Sequence, residues 1–158
     1  MQHQNLFVFD IETIPDTKAA KNLFNTPKAS EQDLRQALTK YHLDITDQKN
    51  SFLRQPFHKI VAVGFLEAEI IRDFDGSEFY KIVEIRCGGN IDTPENELVL
   101  GFFNHLKKIK PRFVSFNGRN FDMPVLKYAA MKHEVEAGWF YKLGDKWNNR
   151  SEEHTSEL

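Results

Sequence analysis

The stretch LFVFDIETIPD, residues 6–16, runs four apolar residues, Leu6 to Phe9, straight into Asp10, and Glu12 follows two positions later. An unbroken apolar run of this kind reads as a strand in the interior of an α/β sheet. If the extended backbone persists to Glu12, the period of two places both carboxylates on one face, with Cα atoms about 7 Å apart. Two unpaired carboxylates beside an apolar core repel each other and lose hydration, and a divalent cation between them removes both costs. All-oxygen donors suit Mg²⁺ or Mn²⁺ better than zinc. The bland alternative is that Asp10 merely ends the strand and Glu12 is solvated, because an acid-x-acid triplet alone is too short to be specific.

Outward from this stretch, Pro15 breaks the run and residues 17–24 suit a short helix. Ser30 with Asp33 resembles a capping box for a helix over residues 31–42, with Leu34, Leu38 and Tyr41 on one face. DITDQKNS, residues 44–51, reads as loop. Strands are expected over 58–67 and 78–87, joined by a hairpin turn at Asp75-Gly76. Thr93-Pro94 suits a helix entry, with Thr93 as cap and Pro94 at the first helical position. That helix buries Val99, Phe102, Phe103 and Leu106, carries Lys107, Lys108 and Lys110 at its C-terminal end, and stops at Pro111. A fourth strand is expected over 112–116, a turn at NGRN, and a helix over 123–133. The order predicts an α/β fold with a mixed sheet and flanking helices, the leading part of a ribonuclease H-like layout that is incomplete at the C-terminus.

The second informative stretch is PRFVSFNGRNFDMPVLKYAAM, residues 111–131. Here too an apolar strand ends, a polar turn follows, and Asp122 stands just ahead of a helix. Asp122 alone would serve as an Asx-type turn residue and helix cap. Two strand ends in one sheet, each offering acids, make a two-metal cradle instead.

Taken together, FDIETIPD and FNGRNFDMPVL resemble the first two motifs of the DEDD 3′–5′ exonucleases. The match extends to a family of predicted exonucleases related to the proofreading domain of family-B DNA polymerases. HKIVAVGF, ENELVLGFFNHL and DKWNN fit the same family in order, so the resemblance covers Leu6 to Asn149. It implies that Asp10, Glu12 and Asp122 are catalytic and hold two Mg or Mn ions. Asp10 would bridge both ions, Glu12 would ligate the one that activates water, and Asp122 the other. It implies substrate contacts from Thr13 and Ile14 against the 3′-terminal nucleotide, from Asn117 near the substrate, and from Phe121 beside the terminal base or under the site. The implied reaction hydrolyses the terminal phosphodiester of a nucleic acid 3′ end, single-stranded DNA being the expected partner, and releases a nucleoside monophosphate.

The family also needs a fourth carboxylate preceded four residues earlier by Tyr or His. Only Tyr141 and Asp145 have that spacing, and Gly144 between them is a poor helix-interior residue. A surface loop fits that stretch better. RSEEHTSEL, residues 150–158, matches the translation of a common sequencing adapter, AGATCGGAAGAGCACACGTCTGAACTC. It is therefore set apart as a non-native tail, with residues 1–149 as the N-terminal part of an exonuclease domain. The fragment is expected to be inactive for want of its fourth ligand. The alternative is a nuclease-dead, nucleic-acid-binding module of the same fold. A haloacid-dehalogenase-type phosphatase fails, because position 12 is Glu and Thr13 comes one place early for its acid-x-acid-x-Thr pattern.

Composition narrows the rest. The formal charge is −2, and without residues 150–158 acids and bases balance, so a nucleic acid must be held by local contacts and metal, not by overall field. Cys87, the one cysteine, sits in the apolar run IVEIRC and reads as a buried structural thiol. His3, His42, His58, His133 and His154 show no metal-ligand spacing and read as surface or capping residues. With no apolar run long enough for a bilayer and no signal-peptide pattern near the start, the expectation is a cytoplasmic protein with no membrane and no protein partner.

Overall fold

In the computed structural model, residues 3–90 and 92–142 are described. In chain order they form β1 (Asn5–Pro15), α1 (Thr17–Phe24), α2 (Glu31–Ile45), a 3₁₀ turn (Gln55–Phe57), β2 (His58–Arg72), β3 (Glu78–Gly88), α3 (Glu95–Ile109), β4 (Arg112–Val114), α4 (Asp122–Lys132) and α5 (Gly138–Lys142). The sheet order is β3-β2-β1-β4. β1 and β4 are parallel, β2 and β3 antiparallel, which is the mixed α/β sheet expected of a ribonuclease H-like layout.

The described residues divide into two compact units, those of 3–12 with 60–142, and residues 13–59. The core of the larger one follows from alternation along β1. Phe7, Phe9 and Ile11 are buried, while Asp10 and Glu12 on the opposite face are exposed. Val63 joins the buried face, Phe65 and Phe113 pack against it, and the aliphatic and aromatic stripes of α3 and α4 close it. Phe7 stacks on Phe65 with ring centroids 5.1 Å apart and meets Phe102 edge-on at 6.1 Å. The other face of β1 is less covered than a central strand suggests, with Leu6 and Val8 half-buried.

Glu95, the first residue of α3, is 5% exposed. Its Oε1 accepts the Ile60 N–H at 2.8 Å, and its Oε2 lies 2.8 Å from His133 Nε2 and 2.6 Å from Lys132 Nζ. One carboxylate thus ties β2 to the start of α3 and the end of α4.

In the smaller unit, Ala20, Leu34, Leu38 and Leu53 form a separate core. The Asp16 carboxylate caps α1 by accepting the N–H groups of Lys18 and Ala19, and the capping box at Ser30 and Asp33 is complete. The expectation of surface histidines fails for two of them. His42 is 1% exposed, with Nδ1 2.8 Å from Leu38 O and Nε2 accepting the Arg54 N–H at 3.1 Å. His58 is buried between Thr13 Oγ1 and Leu53 O, and burial lowers its pKa. Backbone groups at Leu38, Arg54 and Leu53, with the Thr13 hydroxyl, bond the two rings, and such pairing leaves no mark in the residue types.

Other local expectations shift. α2 continues to Ile45, into the expected loop, and β4 is only three residues long. Pro94 is itself the N-cap of α3, and Thr93 instead bonds Asn90, its Oγ1 accepting the Asn90 N–H at 2.8 Å. Cys87 is exposed, not buried. It lies on β3, the sheet's edge, where Phe79, Ile82, Val83 and Ile85 are exposed as well. Its apolar neighbours do not cover it.

Candidate active site

β1 stays extended through Pro15, its last residue, because proline's fixed φ is tolerated at a strand end. Asp10 and Glu12 therefore do share a face, beyond the point where β4 stops pairing. The chain then leaves β4 through Ser115, buried at 5%, and turns at Asn117, whose φ of 52° is left-handed. Asn is one of the few non-glycine residues that tolerates this conformation. The Asn117 carbonyl accepts the N–H groups of Asn120 and Phe121, and its side-chain oxygen accepts Asn120 Nδ2 at 2.8 Å.

Gly118 follows. A Cβ there would lie 1.8 Å from Ser115 Oγ, 2.8 Å from Ser115 Cβ and 3.8 Å from Asp122 Oδ2. The hydroxyl can rotate away, but the Ser115 Cβ is fixed to the backbone. Gly118→Ala is expected to destabilise the protein by about 1–3 kcal/mol, the usual cost of overpacking, which urea unfolding would measure. Native stability in the variant would show that the turn adjusts.

This turn delivers Asp122. It does not cap α4, as its position suggests, but is the helix's first residue, with Phe121 in the N-cap position. Asp122 is 1% exposed, and its Oδ1 accepts the Ile11 N–H at 3.2 Å, across from β1. Burial first, and then the neighbouring Asp10 charge, push its carboxyl up to about 6. Asp10 and Asp122 are thus brought together as a buried-exposed pair of like charges.

The remaining expected residues are placed as follows. Glu12 stands on the exposed face with Asp10. Among the described residues no group of three or more His, Cys, Asp or Glu side chains is disposed to hold a metal ion. Phe121 packs, half-buried, against the core beneath the turn. Thr13 and Ile14 belong to the smaller unit, where Thr13 bonds His58. Asp145 and the stretch DKWNN lie outside the described residues, as does the tail over 150–158. The Tyr141 hydroxyl donates to the Met123 carbonyl at 3.3 Å, and burial raises its pKa. Ser115 and Gly118 are the supporting residues that the motif alone did not single out; the adjacent Asn117-Gly118 pair was their only signal.

The donor chemistry fits a hard divalent cation. Two carboxylates, one of them raised in pKa by burial and then by the charge of the other, are relieved by a cation, which favours their ionised forms. No curated protein matches the chain. Residues 50–157 match a family described as predicted 3′–5′ exonucleases related to the exonuclease domain of PolB. The match includes Asn117, Phe121 and Asp122 and begins after Asp10, Glu12, Thr13 and Ile14. It spans more than half of the chain, which therefore belongs to this family of predicted exonucleases related to the PolB exonuclease domain.

Proposed function

We propose that the domain hydrolyses the terminal phosphodiester at the 3′ end of a nucleic acid, single-stranded DNA being the favoured substrate, and releases nucleoside monophosphates. The observation that carries this reading is the pairing of Asp10 with Asp122, in which a buried carboxyl is pushed up to about 6. Asp10, Glu12 and Asp122 would hold two Mg²⁺ or Mn²⁺ ions. When bound, such ions stabilise charge on the attacking and leaving oxygens of a phosphoryl group. The chain's own residues bind and orient. Ile11 N–H holds the Asp122 carboxylate in place, and the Asn117 turn sets the start of α4. Asn117 and Phe121 would border the terminal nucleotide.

A fourth carboxylate and a water-handling Tyr or His complete such a site in DEDD enzymes. The Tyr141 hydroxyl donates to the Met123 carbonyl, and Asp145 lies outside the described residues. On the spacing argument from the sequence, the 158-residue chain is expected to release little or no mononucleotide by itself. Calorimetric titration with Mn²⁺ tests the reading. The chain should bind Mn²⁺, and Asp10→Asn should weaken that binding by at least about tenfold, in line with loss of a charged ligand. Absent or unaltered Mn²⁺ binding would overturn the proposal and favour the nuclease-dead binding module. Mononucleotide release that Asp10→Ala abolishes would refute only the expected inactivity of this chain.

A further inference from the structure

We propose that the cleft between β3 and α3 takes an extended peptide of another protein, added as a strand to the free edge of β3. One bulky apolar side chain of the peptide enters the cleft, and a basic side chain two positions away meets its rim. The proposal does not rest on the carboxylates, since Asp10 and Glu12 leave β1 on the face opposite Phe7 and the cleft.

The cleft has a volume of about 520 Å³ and is floored by Phe7, Val63, Phe65 and Phe102. It exists because of what its two walls lack. The register sets Gly88 opposite Val63, Arg86 opposite Phe65 and Glu84 opposite Glu67. Residues paired across strands share a face, so β3 offers α3 two charged residues and a glycine, and no apolar side chain. On the helix, Gly101 is bare, and a Cβ there would meet nothing within 4 Å. No packing among the described residues calls for glycine at this position, where it weakens the helix. One end of the cleft is shut at Gly89, whose φ of 74° is left-handed and where a Cβ would lie 2.7 Å from Leu98 Cδ2. Toward the C-terminal end of α3, His105 Nε2 lies 3.0 Å from Glu67 Oε2.

The edge of β3 decides what fits. β3 is the outermost strand, and among the described residues its backbone pairs only with β2. An open edge binds an extended peptide through backbone hydrogen bonds, and a pocket beside it selects the side chains. The pairing passes from Glu67 with Glu84 to Ala68 with Ile82, so Val83 is a bulge. The bulge confines the regular run to residues 84–88, the stretch that walls the cleft. A strand added there sends alternate side chains into the cleft and the others beside Ile85, which is 71% exposed.

Charge sets the neighbour of the apolar anchor. Glu84 and Arg86 neutralise each other at 2.9 Å, and Glu67 faces His105. Glu97, exposed on the helix wall, has no side-chain partner among the described residues. Glu97 and Gly101 are one turn apart, about 6 Å along the helix, close to the roughly 6.7 Å between alternate residues of a strand. A Lys or Arg two positions from the anchor therefore reaches Glu97. A small apolar ligand would fill the cleft but leave the strand edge and Glu97 in water, which favours the peptide.

The test uses the 158-residue chain and fluorescein-labelled peptides Thr-X-Val-Z-Val-Thr and Thr-Z-Val-X-Val-Thr, with X as Lys or Glu and Z as Leu or Asp, read by anisotropy. The Lys–Leu peptide of one order should bind, and Asp in place of its Leu should weaken binding at least about tenfold, the scale set by burial of one leucine side chain. Gly101→Leu, which fills the cleft from an exposed helical position, should weaken binding by a similar factor without lowering the unfolding midpoint. Glu97→Lys should move the preference from the Lys peptide to the Glu peptide. N-methylation of alternate peptide residues should abolish binding in one phase and spare it in the other, the mark of strand addition. Absence of binding by every peptide would overturn the proposal. So would binding that Gly101→Leu leaves within about twofold, well inside the cost of losing a buried leucine. A dimer in sedimentation that Gly101→Leu dissociates would give the cleft to a second copy and overturn the reading of a separate partner.

Discussion

Asp122→Asn should stabilise the metal-free protein by about 3 kcal/mol at pH 8, from a shift of roughly two pKa units at about 1.4 kcal/mol each. The folded carboxyl titrates at about 6 against an ordinary 3.8, because it is buried and faces Asp10. Below pH 4 the group is protonated in both states and costs nothing. Between pH 4 and 6 the unfolded chain releases its proton while the folded chain retains it, so the wild type loses stability as pH rises. Above pH 6 the penalty is complete and constant. The Asn variant carries no such penalty, and its amide oxygen can still accept the Ile11 N–H. Urea unfolding in EDTA at pH 4 and pH 8 reads the difference between the two proteins, which should be small at the lower pH and full at the higher. Equal stabilities at pH 8 would mean that Asp122 ionises in the fold without strain. The same substitution removes a proposed metal ligand, so the gain in stability would accompany a loss of divalent binding, the usual trade at a functional site.

Glu95→Ala should cost about 3 kcal/mol, in the range for breaking a buried ion pair from one side. Three partners lose their acceptor together: the Ile60 N–H, His133 Nε2 and Lys132 Nζ. Lys132 and His133 are 32% and 25% exposed in their side chains and can turn toward water, which softens the loss. The Ile60 N–H is a buried donor, and leaving one unsatisfied costs about 1–3 kcal/mol by itself. Glu95→Gln retains that acceptor and should cost clearly less, so the two variants separate the backbone bond from the charge. Equal losses in urea unfolding would place the whole effect in the ion pairs.

The chain announces its architecture wherever one element decides its own pattern. The alternation of β1 placed Asp10 and Glu12 together, and the stripe of α3 placed Val99, Phe102, Phe103 and Leu106 in the core. Asp10 and Asp122 were legible as partners only through paired motifs, because the contact between their elements crosses most of the chain. What stayed hidden depends on partners far away. Cys87 has apolar neighbours, yet its strand is an edge and the sheet ends there. His42 and His58 are the exception: their partners at Leu38, Arg54 and Leu53 are near in sequence, but a ring bonded to backbone leaves no mark in the residue types. Glu95 looks like an ordinary acid in a first helical turn, and only the return of β2 and α4 makes it an anchor.

The hydrogen bond from Ile11 to Asp122 spans 111 residues of sequence. Contacts of such range close late in folding, since loop entropy must be overcome before they form. On the ribosome, the first carboxylates emerge long before their partner, and the small unit of residues 13–59 can collapse around its own core in the interval. The acidic pair therefore comes into being only when α4 docks. A nascent chain carries Asp10 and Glu12 as ordinary hydrated acids, and whatever this site does begins with the last long-range closure, not with the strand that first suggests it.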